Sequence, residues 1–157
     1  MPLQAFYTPE RGPSGYVDLT QSDAVAVIST IKPFKVARVA LVPGLANSYN
    51  FNWQNPESVA IMVLNLVVNI VVASTAGGDI DAGTAAATAT HSDNLLDGQD
   101  LGTTGWLNSY THQATNGRTS QPMDENGGAT DWICGQTLLQ NASNLSGYAY
   151  IFYMLMA

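Results

Sequence analysis

The feature that most constrains the fold of this chain is an apolar run of fifteen residues, VAIMVLNLVVNIVVA, at positions 59–73. It is too short for a transmembrane helix, which needs about 20 predominantly apolar residues, and Asn65 and Asn69 interrupt it. In its second half, apolar side chains alternate with a period of two, which is typical of a β-strand. Asn65 and Asn69 mark one face as semi-polar, and we expect a subunit contact there. The opposite face is predicted to be buried and carries Leu64, Leu66, Val68, Ile70 and Val72.

The charge content limits the class of protein and its partners. The chain has 157 residues, enough for one domain with its own core, but only 11% are charged and the net charge is −7. Such an acidic chain has no basic patch of the size that a nucleic-acid-binding protein needs. The low charge favours a surface that partners cover, because polar uncharged groups cost less to desolvate. The alternative is a soluble monomer that its net charge keeps dispersed.

The first fifteen residues contain three prolines and two glycines, so we expect residues 1–15 to form an extended N-terminal arm. This arm would lie along its own domain or a neighbouring subunit, with Pro9, Arg11 and Pro13 as contact candidates. Residues 16–157 are expected to form a single domain. The arm lacks the charged start and apolar stretch of a secretory signal, so we expect synthesis in a cytoplasm.

Positive charge is concentrated at the start of the first long strand candidate, Phe34–Val42. Lys32, Lys35 and Arg38 fall within seven residues and are candidates for docking an acidic partner. The alternative is an edge strand that carries charges against aggregation. Lys35 and Arg38 are three positions apart and would face opposite sides of a strand, so we favour the edge strand.

Short strand and turn patterns recur along the rest of the chain. The aromatic residues of 45–57 indicate either the apolar face of a strand, which we favour, or a surface that binds a sugar or another protein. Gly77-Gly78 predicts a hairpin turn, residues 92–98 a brief helical turn with two buried leucines, and residues 99–131 short strands or an ordered loop. Further strands are expected at Tyr16–Leu19, Ala24–Ser29, Ile80–Thr90 and Thr130–Leu139.

The last strand candidate, Gly147–Ala157, is apolar on both faces, which is typical of a central strand or of a subunit interface. Many short strands, frequent turns and almost no helix together predict an all-β protein. We expect an antiparallel β-sandwich of the jelly-roll kind.

No motif of known catalytic chemistry is present. Two groups of aspartates could hold calcium: Asp79 with Asp81, and Asp93 with Asp97 and Asp100. Neither group has EF-hand spacing, so we favour the interpretation that these carboxylates cap backbone donors. No nucleophile-elbow motif accompanies the two histidines, His91 and His112, or the thiol of Cys134. Cys134 is expected to be a buried small hydrophobe. No nucleotide-binding motif occurs either. We therefore expect no enzyme activity, no cofactor and no metal.

Two segments carry a resemblance to a known class of proteins: DIDAGTAAATATHSDNLLDGQDLGTTG at 79–105 and SGYAYIFYM at 146–154. The first resembles a D-x-G-x-A…T-x-x-DNL-[IL]-DG-x-D-[LV]-G run, and the second a terminal G-x-A-Y-I strand, of small β-sandwich virion proteins of tailed bacteriophages. Residues 1–58 show no matching motif. The matched positions are Asp81, Gly83, Ala85, Asp93, Asn94, Leu95, Leu96, Asp97, Gly98, Asp100, Leu101, Gly102, Gly147, Ala149, Tyr150 and Ile151.

The resemblance implies a capsid decoration protein or another minor structural component, often trimeric and non-enzymatic. We accordingly expect a capsid decoration (cement) protein on the virion surface that binds the major capsid protein lattice, with no membrane partner. Alternatives are a head or tail appendage that engages host glycans, and a tail-tube or adaptor component. The contact candidates include the loop region 99–131 with Trp106 and Tyr110, and the glycan alternative adds Trp53 and Trp132.

Overall fold

The computed structural model describes residues 34–112 and 115–156. These belong to one compact unit, Phe34–Ala157. The predicted N-terminal arm, including Pro9, Arg11 and Pro13, lies outside the described residues, as do Lys32 and the strand candidates Tyr16–Leu19 and Ala24–Ser29.

The described residues form two antiparallel β-sheets and contain no helix. The larger sheet has the order β1-β9-β3-β6, with β7 also pairing with β3, and the smaller sheet has the order β2-β8-β4-β5. Both sheets contribute to one hydrophobic core, so the predicted all-β sandwich architecture is confirmed. The strands are β1 (Phe34–Leu41), β2 (Tyr49–Gln54), β3 (Ile61–Val72), β4 (Asp79–Ala85), β5 (Leu96–Asp100), β6 (Gly105–Asn108), β7 (Gln121–Met123), β8 (Trp132–Leu138) and β9 (Ser146–Leu155).

The apolar run forms β3, and its burial pattern changes at a β-bulge. The register with β9 shifts between Val63 and Asn65, so that Leu64 is an extra residue. Before the bulge Ile61 and Val63 are buried, and beyond it the predicted face is buried from Leu66 to Ile70. The predicted burial of Leu64 and Val72 is wrong. Leu64 is half-buried because the bulge displaces it, and Val72 is 46% exposed beyond a second register shift.

The predicted central position of the last strand is confirmed, and the described strands agree with the edge position predicted for the first. Within the described residues β1 lies at an edge of the sheet and pairs only with β9, and the doubly apolar β9 lies centrally between β1 and β3. Lys35 and Arg38 face opposite sides of β1, as their spacing predicts. Lys35 pairs across the strand with the buried Tyr153, and the exposed Arg38 with Tyr150.

The predicted hairpin at Gly77-Gly78 is wrong. Both glycines have positive φ angles of 75° and 92°, but the turn carries the chain from one sheet to the other. The following strand, β4, ends at Ala85 and not near Thr90, and it pairs with β5 and β8 in the smaller sheet. The error arises because partners that lie far along the chain, and not the turn residues alone, decide which sheet a strand joins.

The predicted helical turn at 92–98 is also wrong, although its two leucines are fully buried. Leu96 begins β5, and Leu95 donates a backbone hydrogen bond to Ala82 of β4 (3.0 Å). The segment is extended because its backbone bonds to β4 replace the bonds that a helical turn would make. Residues 99–131 contain the short strands β6 and β7, as predicted.

The smaller sheet buries the aromatic face predicted for 45–57. Phe51 is 3% exposed in β2 and covers Gly135 of the neighbouring β8, and Trp53 packs against Tyr153 with ring centroids 5.4 Å apart. None of the described residues belongs to a helix long and apolar enough to span a membrane.

Candidate binding face on the larger sheet

The side of the larger sheet that faces away from the core carries a regular array of side chains, which we call the outer face. Across the sheet, the register places Trp106, Asn69, Tyr148 and Ala40 in one row. The next row contains Asn108, Val67, Tyr150 and Arg38. These residues alternate along their strands with buried core residues such as Val68 and Ile151, and therefore share one surface.

One end of the outer face is an aromatic platform formed by Arg38, Asn69, Trp106, Tyr148 and Tyr150. The rings of Trp106 and Tyr150 have centroids 6.1 Å apart, and those of Tyr148 and Tyr150 lie 6.3 Å apart. Trp106 is 59% exposed. Asn69 lies between Trp106 and Tyr148 in the same row, so an amide is placed between two aromatic rings.

Arg38 gives the aromatic platform a positive charge. Its guanidinium carbon lies 4.7 Å from the centroid of the Tyr148 ring, a cation–π arrangement. Among the described residues no carboxylate forms an ion pair with Arg38, and none of the described residues on the outer face is acidic. In a chain of net charge −7, the described outer face therefore carries a positive side chain and no negative one.

The other end of the outer face is an apolar groove lined by Phe34, Leu64, Asn65, Val67, Tyr110 and Phe152. Phe34 and Tyr110 are each 61% exposed, and the neighbouring Val36 is 51% exposed. The bulge in β3 creates this groove, because it turns Leu64 and Asn65 outward in succession. Ser109 donates a hydrogen bond to the side-chain oxygen of Asn65 (2.9 Å) and thereby holds the loop that carries Tyr110.

Lys35 lies on the core side of the larger sheet. Its ammonium group contacts Glu57 at 2.7 Å, and the Tyr153 hydroxyl donates to the same carboxylate oxygen at 2.9 Å. The hydrogen bond from Lys35 is the largest cause of a lowered Glu57 pKa, which Tyr153 also lowers although burial opposes the shift. Burial, together with the bond to Glu57, raises the pKa of Tyr153 to about 12.

Five of the residues predicted from the sequence thus share the outer face: Arg38, Asn65, Asn69, Trp106 and Tyr110. The aromatic set of the glycan alternative is divided, because Trp53 and Trp132 are half-buried residues of the smaller sheet. The sequence reasoning missed Tyr148 and Tyr150 as site residues. Their alternation in β9 already placed them on one face, but only the pairing of β9 with β3 and β1 brings that face next to Trp106 and Arg38.

In the first of the two segments that carry the resemblance, side-chain hydrogen bonds hold β4 against β5 and the loop between them. Asp81 is 4% exposed and accepts hydrogen bonds from the Gly98 backbone (2.7 Å) and, in one tautomer, from the His91 ring (2.7 Å). Asn94 lies directly over Gly83, where any β-carbon would collide with it. Asn94 also accepts a hydrogen bond from the Thr84 backbone (2.9 Å) and donates one to its hydroxyl (2.8 Å).

Three carboxylates of this region lie close together. Oxygens of Asp81, Asp93 and Asp97 fall within 4.8 Å of one another, a grouping that differs from both calcium candidates drawn from the sequence. Asp97 accepts hydrogen bonds from the backbones of Thr115 and Asn116, and so caps backbone donors as predicted. These contacts give the cluster a role in holding the loops around it.

The thiol and the second histidine also have structural surroundings. Cys134 is 1% exposed, as predicted, and burial raises the pKa of its thiol. Its sulfur donates to the Ala87 carbonyl (3.6 Å). His112 accepts a hydrogen bond from the Asn108 backbone (3.2 Å) through Nδ1. None of these contacts joins the thiol to a histidine.

Comparison of the chain with protein-family models, with curated proteins and with solved structures gives no match.

Proposed function

We propose that this protein is a structural component of a tailed-bacteriophage virion, a capsid decoration protein that binds the major capsid protein lattice and stabilises the particle. The observation that carries the proposal is the exposed apolar groove. Monomeric soluble proteins rarely expose large contiguous apolar patches, and such patches are characteristic of interaction sites. The resemblance of 79–105 and 146–154 to small virion proteins supplies the identity of the partner.

The strand pairing supports the finer fold assignment that we propose, a jelly roll. Four antiparallel pairs are nested in chain order: β1 with β9, β2 with β8, β3 with β6, and β4 with β5. Nested pairs of this kind arise when a long hairpin is rolled into two sheets of four strands. Jelly rolls are common in viral capsid domains, which agrees with a virion role, and also in lectins and cupins.

The surface chemistry supports burial against a protein partner. Only 11% of the residues are charged, and the groove itself carries the amide of Asn65 and the Tyr110 hydroxyl as its polar groups. Desolvating such a surface costs less than desolvating charges, so contact across capsomer junctions would raise the free energy needed to separate them. In this proposal the protein is a homotrimer and has no catalytic activity.

The decisive experiment compares particles that contain the protein with particles from which it has been removed. We expect cryo-electron microscopy to locate the protein on the capsid surface in many copies, and stripped particles to lose resistance to heat and osmotic shock. Absence of the protein from particles, or equal resistance of stripped particles, would refute the proposal.

A matched pair of variants tests the groove itself. Val36→Asp places a charge beside the groove at a side chain that is 51% exposed, and Leu45→Asp places the same charge at a side chain that is 71% exposed outside the strands. Because an unpaired charge is costly to bury, Val36→Asp should weaken rebinding to stripped particles at least tenfold. Leu45→Asp should rebind normally, and circular dichroism establishes that both variants fold. Equal rebinding of the two variants would exclude the groove as the contact.

A further inference from the structure

The aromatic platform has a different chemistry from the apolar groove and points to a different ligand. It combines three aromatic rings, one amide and one guanidinium group on four neighbouring strands of the larger sheet, with ring centroids 6.1 and 6.3 Å apart and the guanidinium carbon 4.7 Å from the Tyr148 ring centroid. The exposed Trp106 offers an apolar ring face and an indole N–H at its edge. Aromatic faces carry partial negative charge, so they attract the slightly positive C–H face of a pyranose ring.

The polar groups of the platform are suited to the hydroxyl groups of a sugar. Asn69 offers two donors and an acceptor between Trp106 and Tyr148, and hydroxyl groups of a sugar need such partners when they leave water. A purely apolar protein surface laid on the platform would leave this amide and the guanidinium unpaired. The platform therefore fits a ligand that is itself both apolar and rich in hydroxyl groups.

Arg38 indicates that the ligand is anionic. Because its guanidinium lies over the Tyr148 ring and forms no ion pair with a described carboxylate, its N–H groups are available to an incoming anion. A planar carboxylate accepts two parallel hydrogen bonds from such a group, a geometry that a neutral hydroxyl does not reproduce. The absence of acidic side chains from the described outer face leaves nothing there to repel that anion.

The size of the platform sets the length of the ligand. From β1, which carries Arg38, to β6, which carries Trp106, the sheet order β1-β9-β3-β6 gives three strand spacings. At about 4.8 Å per spacing this is about 14 Å, which exceeds the width of a single monosaccharide. We propose that the aromatic platform binds an acidic oligosaccharide built from carboxylate-bearing sugars, with Trp106 stacking on one residue and Arg38 pairing with a carboxylate.

Binding of defined oligosaccharides to the full-length protein tests this site. The probes are oligomers of galacturonic acid, hyaluronan and sialic acid, each compared with its methyl ester, which has the same sugar framework without the charge. Isothermal titration calorimetry should detect at least one acidic oligomer, with at least tenfold weaker binding of its ester. Failure of all three acidic oligomers to bind at millimolar concentration would overturn the proposal.

Two variants with matched controls locate the binding. Trp106→Ala should weaken binding of both the acid and the ester more than tenfold, whereas Tyr110→Ala, which removes an equally exposed aromatic ring from the groove, should not. Arg38→Gln should abolish the preference for the acid over the ester, whereas Arg118→Gln, at another exposed arginine, should keep it.

The same variants separate the sugar site from a protein contact. Each variant is checked by circular dichroism and by rebinding to stripped particles. If Trp106→Ala and Arg38→Gln leave sugar binding unchanged, the proposal is wrong. If these variants also impair rebinding to particles, the platform is instead part of the protein contact. Loss of sugar binding with normal rebinding would support the proposal. Because the titration uses the isolated protein, loss of sugar binding would support the sugar site even if the decoration function fails its own test.

Discussion

The contact between Gly135 and Phe51 provides a sharp test of how the smaller sheet is packed. Gly135 lies in the middle of β8, directly opposite Phe51 of β2. A β-carbon added at Gly135 would lie 2.1, 2.6 and 2.8 Å from Cε1, Cδ1 and Cζ of the Phe51 ring. Phe51 is 3% exposed, so its ring is confined by the core. Gly135→Ala should therefore force the ring out of its site.

The expected magnitude follows from two opposing effects. Overpacking of a filled core costs about 1–3 kcal/mol, so Gly135→Ala should lower the free energy of unfolding by that amount. Without the ring the clash disappears, and alanine is favoured over glycine in a strand by about 0.5–1 kcal/mol. In a Phe51→Ala background the same substitution should therefore be neutral or stabilising. The coupling free energy between the two positions is then about 1–4 kcal/mol.

Urea denaturation followed by circular dichroism supplies the four free energies of unfolding for this double-mutant cycle. Gly102→Ala serves as a control, because there the added β-carbon meets only an Asp100 side-chain oxygen at 3.0 Å and more distant atoms. We expect that control to change the free energy of unfolding by less than about 0.5 kcal/mol. A Gly135→Ala cost that is equal in both backgrounds would show that the backbone, and not the ring, requires glycine.

Three further predictions concern stability. Leu139 is 85% exposed and has a φ of 57°, a left-handed conformation that is strained for leucine. Thermal unfolding should therefore show that Leu139→Gly raises the free energy of unfolding by up to about 1 kcal/mol, whereas Leu139→Ala does not raise it. Asn94→Ala leaves the Thr84 backbone N–H without its acceptor, so it should lower the free energy of unfolding by about 1–3 kcal/mol and speed hydrogen exchange at that amide. Asn94→Asp keeps an acceptor and should lower the free energy of unfolding by less. The pKa of Glu57 is lowered in the folded state, so the stabilisation by its ionised form is present above the ordinary carboxyl pKa and is lost as pH falls through the folded value. Denaturation at several pH values between about 6 and 3 should therefore show that Glu57→Gln loses less stability than the unmodified protein. An equal acid response of the two proteins would contradict that assignment.

Local patterns in the sequence predict several strands well, because each of those strands carries its own periodicity. The alternation in Gly147–Ala157 and the charged, apolar pattern of Phe34–Val42 lead directly to β9 and β1. The two-residue period also predicts which side chains of β3 are buried from Leu66 to Ile70. In these segments the burial of one face is the main stabilising force, and that force is visible in the residues themselves.

Other features depend on contacts that the chain makes far from the residues concerned. Gly77-Gly78 has the composition of a hairpin turn, yet β4 joins the smaller sheet because β8, more than fifty positions later in the sequence, pairs with it. Residues 92–98 contain a capping residue, two leucines and a glycine, which also suits a helical turn. The hydrogen bonds of Asp81 and Asn94 hold the segment extended instead, and no property of 92–98 alone reveals them.

The candidate site arises where the ideal pattern of β3 fails. A perfect alternation through 61–72 would give the outer face of the strand one side chain in every two positions. The extra residue at the bulge turns Leu64 and Asn65 outward in succession, so that the apolar side chain widens the groove while the amide binds Ser109. Beyond the bulge, regular alternation returns and places Asn69 among the rings of the platform. One inserted residue thus divides the outer face into two ends of different chemistry, which is the physical basis for assigning them two different partners.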